Sequence, residues 1–421
     1  MNDNSSSARK RLSLMTLDQI VAGASNVLTA LLAAQLLDVG SFGLFALIFL
    51  IYAVAQGVHR ALVGDPLLVH PEEADERPGS PLGTGLAVGV LMAVVLLLLG
   101  LLSRQVWEPP FGNSLMILAA CLPLLALQDL GRYLGIATHR PGTALRLDVT
   151  WLVLMLVPVG FLVATDSATL ERLVLSWAGS GAVAGLLVVP TVVRAGLRLD
   201  TTWVRTTWSI SWRYLSTYAL TQGSALGAAL AVGTIAGSAA LGGVRGALLV
   251  IRPYGAVQTA AMASGIAEVS RSDGARPTLR RHERRTTFAA TGAALLMSVV
   301  LLGVPDAVGR VVLGETWDAT DPLLLAASAQ LLLQSLAAGP RAVMLGLKEV
   351  RTALRIDVAS TIAMMVFGIA GTVLDGAEGG MWGFALSQAC SALAWRIVLA
   401  RRQAVAPEEV PVTTLDGSAH A

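Results

Sequence analysis

The amino-acid sequence predicts an all-α integral membrane protein, with twelve transmembrane helices in two parallel-repeat six-helix lobes around a central cavity. Three observations lead there. Of the 421 residues, 54% are apolar and only 14% charged, whereas a water-soluble domain is about a quarter charged; the mean hydropathy is +0.67. The apolar residues fall into runs of about 20, the length that crosses a hydrocarbon core of about 30 Å. A heptapeptide in the first half of the chain recurs in the second.

The spans follow in order. The first, 14–37, has a basic start but is too long for a signal segment and lacks a small-residue cleavage site after it, so it is read as a retained helix. Spans two and three, 41–64 and 82–102, flank the acidic stretch PEEADERP. Spans four to six are 114–138, 144–165 and 170–193; spans seven and eight are 209–236 and 239–266. The arginine-rich stretch SRSDGARPTLRRHERR precedes span nine at 286–305, and spans ten to twelve are 321–346, 352–374 and 379–400. Hydrocarbon offers backbone amides no partners, and the runs lack period-2 alternation, so each span is expected to be helical and no barrel is expected. Seven of the nine tryptophans (Trp107, Trp203, Trp208, Trp212, Trp317, Trp382 and Trp395) lie near predicted helix ends, as an interfacial belt would place them. Residues 406–421 are expected to form a disordered cytoplasmic tail.

Charge placement orients the spans. The N-terminal stretch (Arg9, Lys10, Arg11), the even-to-odd loops and the C-terminal stretch, with Arg146 and Arg355 in the first turns of spans five and eleven, carry 20 of the 30 basic residues. The opposite loops carry three, Arg104, Arg172 and Arg310. The positive-inside rule then places both termini in the cytoplasm. A net charge of +2 is too small to imply a nucleic-acid partner. Cys121 and Cys390 both fall inside apolar runs, so no disulfide framework or metal cluster is expected. No GxxxxGK loop occurs, and neither ATP nor another cofactor is expected.

TALRLDV at 143–149 recurs as TALRIDV at 352–358, an offset of 209 at which Arg132 also maps onto Arg341. Trp107-Glu108 maps onto Trp317-Asp318 at an offset of 210. The chain therefore divides into two six-helix lobes, 1–200 and 201–405, that enter the membrane from the same side. Parallel repeats with a site between the halves are a transporter architecture. Five glycine pairs four residues apart, Gly85/Gly89, Gly131/Gly135, Gly181/Gly185, Gly223/Gly227 and Gly242/Gly246, would let helices approach closely.

Charges inside spans are expensive and need a reason. Seven arginines qualify: Arg60, Arg132, Arg213, Arg245, Arg252, Arg341 and Arg396. Most lie within two turns of the cytoplasmic end, where their stems can snorkel. Arg245 and Arg252 lie deeper, seven residues apart on one helix face, with Pro253 beside the deeper one. They line a wet cavity or else pair with Asp129 or Asp148. The intramembrane acids are Asp18, Asp129, Asp148 and Asp357. Seven positive charges against four negative suit an anionic ligand, and the guanidinium fork suits phosphate oxygens. Asp18 and Asp129 are the candidates for ion coupling, with helix capping the simpler role for Asp18.

Several motifs together carry a resemblance: LDQIVAGASNVLTALLAAQLL, SFGLFALIFL, HRALVGDPLLV, QDLGRY, ALRLDVTW, GGVRGALLVIRP and VVLGETWDATDPLLL. The chain resembles the polysaccharide transporters, or O-antigen and exopolysaccharide flippases, of the multidrug/oligosaccharidyl-lipid/polysaccharide exporter superfamily. The resemblance implies translocation of an undecaprenyl-diphosphate-linked oligosaccharide by alternating access in the bacterial cytoplasmic membrane. It also implies an anionic lipid-linked glycan and the bilayer as partners, with glycan-assembly enzymes as further ones. Arg245 and Arg252, with Arg60, Arg132 and Arg341, would bind the substrate, and Pro66 and Pro253 would mark helix ends or bends. No bond chemistry is expected, so the chain is read as a transporter and not an enzyme. Two alternatives remain open: a multidrug/cation antiporter, which would want net acid in its cavity, and a membrane-embedded glycosyltransferase or glycan polymerase, which would need a large outer domain with paired acids. The longest outward connection, 306–320, is read as a solvated loop of mixed charge.

Overall fold

The computed structural model describes residues 21, 23–138, 140, 142–199, 201–270, 272 and 275–405. Asp18, the basic N-terminal residues and the tail 406–421 lie outside the described residues. No β-strand occurs among the described residues.

The first helices are α1 (Gly23–Leu36) and α2 (Val39–His59). Asp38 caps α2 by accepting from the Ser41 amide at 3.0 Å. Partial burial pushes the Asp38 carboxyl up, but hydrogen bonds from Ser41 and Gly40 outweigh that and hold it below the usual carboxylate range. The chain continues through a π-helical turn at Arg60–Gly64 into α3 (Asp65–Val69), so that span two runs unbroken from Val39 to Val69. The acidic stretch forms a short helix, α4 (Pro71–Glu76). Long helices follow: α5 (Gly79–Val106), α6 (Pro109–Ala137), α7 (Gly142–Ala164), and α8 (Leu170–Gly185) continuing through one 3-10 turn into α9 (Val189–Ala195).

Span seven is α10 (Thr201–Ala236), which begins earlier than hydropathy alone suggests. Span eight is broken. It consists of α11 (Ser238–Val250) and α12 (Arg252–Ser270), with a turn at Ile251 where Pro253 cannot donate a backbone hydrogen bond. Then come α13 (Arg276–Leu302), two short helices α14 (Asp306–Leu313) and α15 (Thr316–Thr320), and α16 (Leu324–Ser335) followed by α17 (Ala338–Gly346). The last element, α18 (Val350–Val405), holds two helices joined by a kink at Asp375 and Gly376. Gly376 has φ +53°, a left-handed conformation that glycine adopts without Cβ strain. Within the described residues, each of the twelve predicted spans thus coincides with a helix or a broken helix, span one from residue 23 onward.

Packing groups the chain into two compact units. The first is Met1–Gly246 with Asp306–Thr320, and the second is Ala247–Pro305 with Asp321–Ala421. The boundary at 200/201 follows the sequence repeat; packing instead joins α10 to the first unit, where a Cβ on Gly57 would press on the Tyr218 ring. The first unit's core includes Val63, Leu67, Leu82, Leu130, Leu147 and Trp203. Here backbones touch: a Cβ on Gly43 would strike Ser238 and Gly242, and one on Gly242 would strike the Val39 carbonyl. The second unit centres on Val269, Leu279, Val343, Met344, Trp395 and Leu399.

Two expectations hold only in part. The segment 306–320 is not an irregular loop but the helices α14 and α15; its charged residues Asp306, Arg310, Glu315 and Asp318 are exposed as expected, while Thr316 and Trp317 are buried. They are fastened to the end of α1 by bonds from Gln35 Nε2 to the Val311 carbonyl (2.6 Å) and from Thr316 Oγ1 to the Ala34 carbonyl (3.2 Å). The tryptophan belt is only partly a belt. Trp208, Trp212 and Trp382 are exposed, but Trp203, Trp317 and Trp395 are core residues. Position near a helix end does not say whether a ring turns outward or inward.

Candidate functional site: a guanidinium–carboxylate network and a broken arginine helix

Burying a guanidinium requires a carboxylate or water, and the structure supplies carboxylates to three of the five arginines expected to bind an anion. In the first unit Arg60 stands on the π-helical turn after α2. It grips Asp129 of α6 with two bonds, Nε to Oδ2 at 2.9 Å and Nη2 to Oδ1 at 2.6 Å. The turn presses the same guanidinium over the Tyr133 ring, 5.8 Å from its centroid. One helical turn from Asp129, Arg132 reaches back to Asp129 at 3.6 Å and across to Asp148 of α7 at 3.1 Å. Gln128 Nε2 donates to Asp148 Oδ1 at 3.1 Å, and Gln56 Nε2 donates to Asp129 Oδ1 at 3.3 Å. Two guanidinium and two carboxylate groups balance in charge.

The second unit repeats the kernel of this arrangement. Arg341 of α17 donates to Asp357 of α18 at 2.8 Å. These residues occupy the positions of Arg132 and Asp148 shifted by 209, so the arginine near the end of the fourth and tenth spans and the duplicated ALRLDV and ALRIDV segments meet as an ion pair in both units. The elaboration is confined to the first unit, because the positions of Gln128 and Asp129 are Ala337 and Ala338 in the second.

Arg245 and Arg252 stand on the broken span eight. Arg245 is half-buried on α11 and donates to the Ala225 carbonyl of α10 at 3.4 Å. Arg252 is exposed and is the first residue of α12. Among the described residues Arg252 forms no ion pair. Asp129 and Asp148, the acids considered as partners for these two arginines, are engaged by Arg60 and Arg132. Asp18 lies outside the described residues. Arg213 and Arg396 are exposed.

Sequence reasoning did not pair Arg132 with Asp148, or recognise Gln56, Gln128 and Tyr133 as members of the network. The signal existed: Arg132 and Asp148 recur together at one offset, and a charge pair preserved in both copies of a duplication marks a contact. Among the described residues no group of three or more His, Cys, Asp and Glu side chains could hold a metal ion.

Comparison with known proteins extends this picture. None of the curated proteins matches the sequence. Among solved structures the chain is similar to an inward-facing multidrug resistance MATE family transporter of the MOP superfamily, with a TM-score of 0.72 at 14% identity over 94% of this chain and 97% of the other. It is also similar to the lipid II flippase MurJ in an inward closed conformation, with a TM-score of 0.71 at 9% identity over 92% and 87%. A third likeness is to a MOP superfamily transporter from Pyrococcus furiosus for which the reverse polarity of its binding pocket suggests a different function; the TM-score is 0.56 at 15% identity over 94% and 95%. These likenesses establish the fold. The family described as Polysaccharide biosynthesis protein matches residues 32–322. With that match across more than half its length, and with the fold of MOP superfamily transporters, the chain belongs to the polysaccharide biosynthesis protein family.

Proposed function

We propose that the chain is a flippase that moves an undecaprenyl-diphosphate-linked oligosaccharide across the bacterial cytoplasmic membrane by alternating access, with both termini in the cytoplasm. The family match supports a glycan cargo, and one similar structure is a lipid II flippase. The observation that carries the reading is Arg252, an exposed guanidinium at the break of a span, beside the first amides of α12. A membrane segment keeps such a charge where it meets water or an anion. Helix starts favour negative charge, and a guanidinium forks two donors onto phosphate oxygens.

In this reading Arg252 and Arg245 contact the diphosphate. Arg60, Arg132 and Arg341 are neutralised by the carboxylates that hold them and brace their own units beside the cargo, with Asp129 as the acceptor that fixes Arg60 and Arg132. The prenyl tail stays in lipid. Glycan-assembly enzymes would supply the cargo and take it up. The multidrug/cation antiporter reading wants carboxylates open to a cation, but Asp129, Asp148 and Asp357 are each paired with guanidinium groups.

The test is glycan export in cells carrying Arg252→Ala or Arg245→Ala, with the amount of protein in the membrane measured in parallel. Loss of one charge-assisted contact of about 1.5–3 kcal/mol weakens binding roughly 10- to 150-fold. We expect export to collapse while abundance holds and lipid-linked sugar builds up inside. Normal export in both variants would remove the site from consideration, and drug resistance lost without any change in export would favour the antiporter.

A further inference from the structure

The arginine-rich start of α13 has a position on the helix that topology alone does not explain. On its inner face α13 buries Leu279, Thr286, Ala290, Ala294, Ser298 and Leu301. Two polar groups turned that way are engaged by protein: His282 meets Glu268 at 2.9 Å, and Glu283 accepts from Gln403 at 3.2 Å. The opposite face is an exposed stripe at helical spacing. It runs through Phe288, Leu295, Leu296, Val299 and Val300, of which Phe288 is 82% exposed. An exposed apolar stripe on a spanning helix is the face that meets acyl chains. Continued toward the N-terminus with the same period, it becomes Arg280, Arg281, Arg284 and Arg285, all exposed. Among the described residues, Arg285 is the one of the four with a carboxylate near it, Glu268 at 3.5 Å, and its side chain remains 74% exposed.

Length fixes the depth of this cluster. A helix of 27 residues is about 40 Å long against a hydrocarbon core of about 30 Å, so the turns that carry the arginines emerge at headgroup level directly over the lipid-facing stripe. The duplication isolates the cluster from orientation. Shifted by 209, residues 280–285 (RRHERR) correspond to residues 71–76 (PEEADE), the helix α4 at the same place in the first half. A loop on that side of the membrane thus tolerates acid, and orienting the chain did not require four arginines on one lipid-facing face.

We propose that the exposed arginine face of α13, formed by Arg280, Arg281, Arg284 and Arg285, is a docking surface for anionic phospholipid headgroups of the leaflet it borders. The charge is complementary, the apolar stripe beneath receives the acyl chains of the same lipids, and the inner-face acids of the neighbouring turns are already engaged. The surface is separate from the arginines assigned above to cargo, and its test does not depend on transport.

The experiment uses the full chain in phosphatidylcholine vesicles at low salt with spin-labelled phosphatidylglycerol or phosphatidylcholine as tracer, reading the fraction of motionally restricted label. The wild-type chain should restrict phosphatidylglycerol preferentially. One basic residue near an anionic surface is worth about fivefold, so R280Q/R281Q and R284Q/R285Q should each cut the preference several-fold. The quadruple Lys variant should keep it, and raising salt to about 1 M, where the Debye length falls to about 3 Å, should abolish it. Two separate double variants guard against failure of either one to insert. Equal restriction of the two labels by the wild-type chain would overturn the proposal, and so would a preference that survives both Gln pairs. Cross-linking of two copies through this face with no phosphatidylglycerol preference would also overturn it and assign the surface to self-association.

Discussion

Removing the charge of Asp129 is the sharpest perturbation of the network in the first unit. Its side chain is 2% exposed and accepts from Arg60 at 2.6 Å, while Arg60 and Arg132 are themselves only 25% and 12% exposed. Asp129→Asn leaves two guanidinium groups sharing one carboxylate, Asp148. A buried ion pair that loses one partner costs about 3–5 kcal/mol, because the remaining charge has no compensation. Arg60→Met combined with Asp129→Leu removes one charge of each sign and leaves Arg132 facing Asp148, so the double variant should recover most of the loss and fall within about 1 kcal/mol of the wild type. The duplicated pair is an internal control. Arg341 and Asp357 are 39% and 36% exposed, and at that exposure solvent screening reduces Asp357→Asn to about 1 kcal/mol or less. Reversible unfolding in mixed detergent micelles, followed by near-ultraviolet circular dichroism, measures all three variants. The reasoning is refuted if Asp129→Asn loses no more stability than Asp357→Asn, or if the double variant is no more stable than the single one.

Two further outcomes are expected. Gly242→Ala forces a methyl against the Val39 carbonyl and should destabilise the first unit by about 1–3 kcal/mol in the same unfolding assay, the usual cost of overpacking. Gly223→Ala has no neighbouring atom within 4 Å and should be neutral or stabilising; a reversed order would show that close helix approach does not hold the unit together. Reporters fused after residue 275 and after residue 315 should respond from opposite sides of the membrane, since α13 lies between them. Equal signals would contradict the orientation drawn from the basic loops.

The twelve spans were legible because hydrocarbon thickness imposes a length that shows as a run of apolar residues, and that constraint is one-dimensional. The turn at Asp375–Gly376 was readable for the same reason, as the gap between the runs ending at 374 and starting at 379. Properties that depend on helix rotation were not legible. Trp208 and Trp203 lie five residues apart at one helix end, yet one ring faces outward and the other fills the core. Arg60 and Arg132 looked like snorkelling residues because their distance from the span end allowed it, whereas the rotation of α6 and the π-helical turn direct both onto Asp129. The segment 306–320 looked like a loop because 15 residues of mixed charge cannot cross a membrane. It is fastened by bonds to Ala34 and Gln35, far away in sequence.

The duplication explains why one ion pair recurs and the rest of the network does not. Arg132–Asp148 and Arg341–Asp357 join corresponding helices in the two units, and a neutral pair of this kind can be kept in each copy without reference to the other. Without Arg60, Asp129 beside Asp148 would be an uncompensated buried acid; the π-helical turn at Arg60–Gly64 is where the backbone presents the guanidinium that compensates it. The second unit has Ala338 where the first has Asp129, and its pair stays simple and more exposed. Three of the arginines inside spans are therefore cancelled within their own units. Under the proposed function, the cationic character offered to a glycan diphosphate is that of the broken span eight, where Arg252 heads α12. An arginine tally over the spans overstates the charge a ligand would meet, and the partners of each guanidinium decide which of them are available to bind.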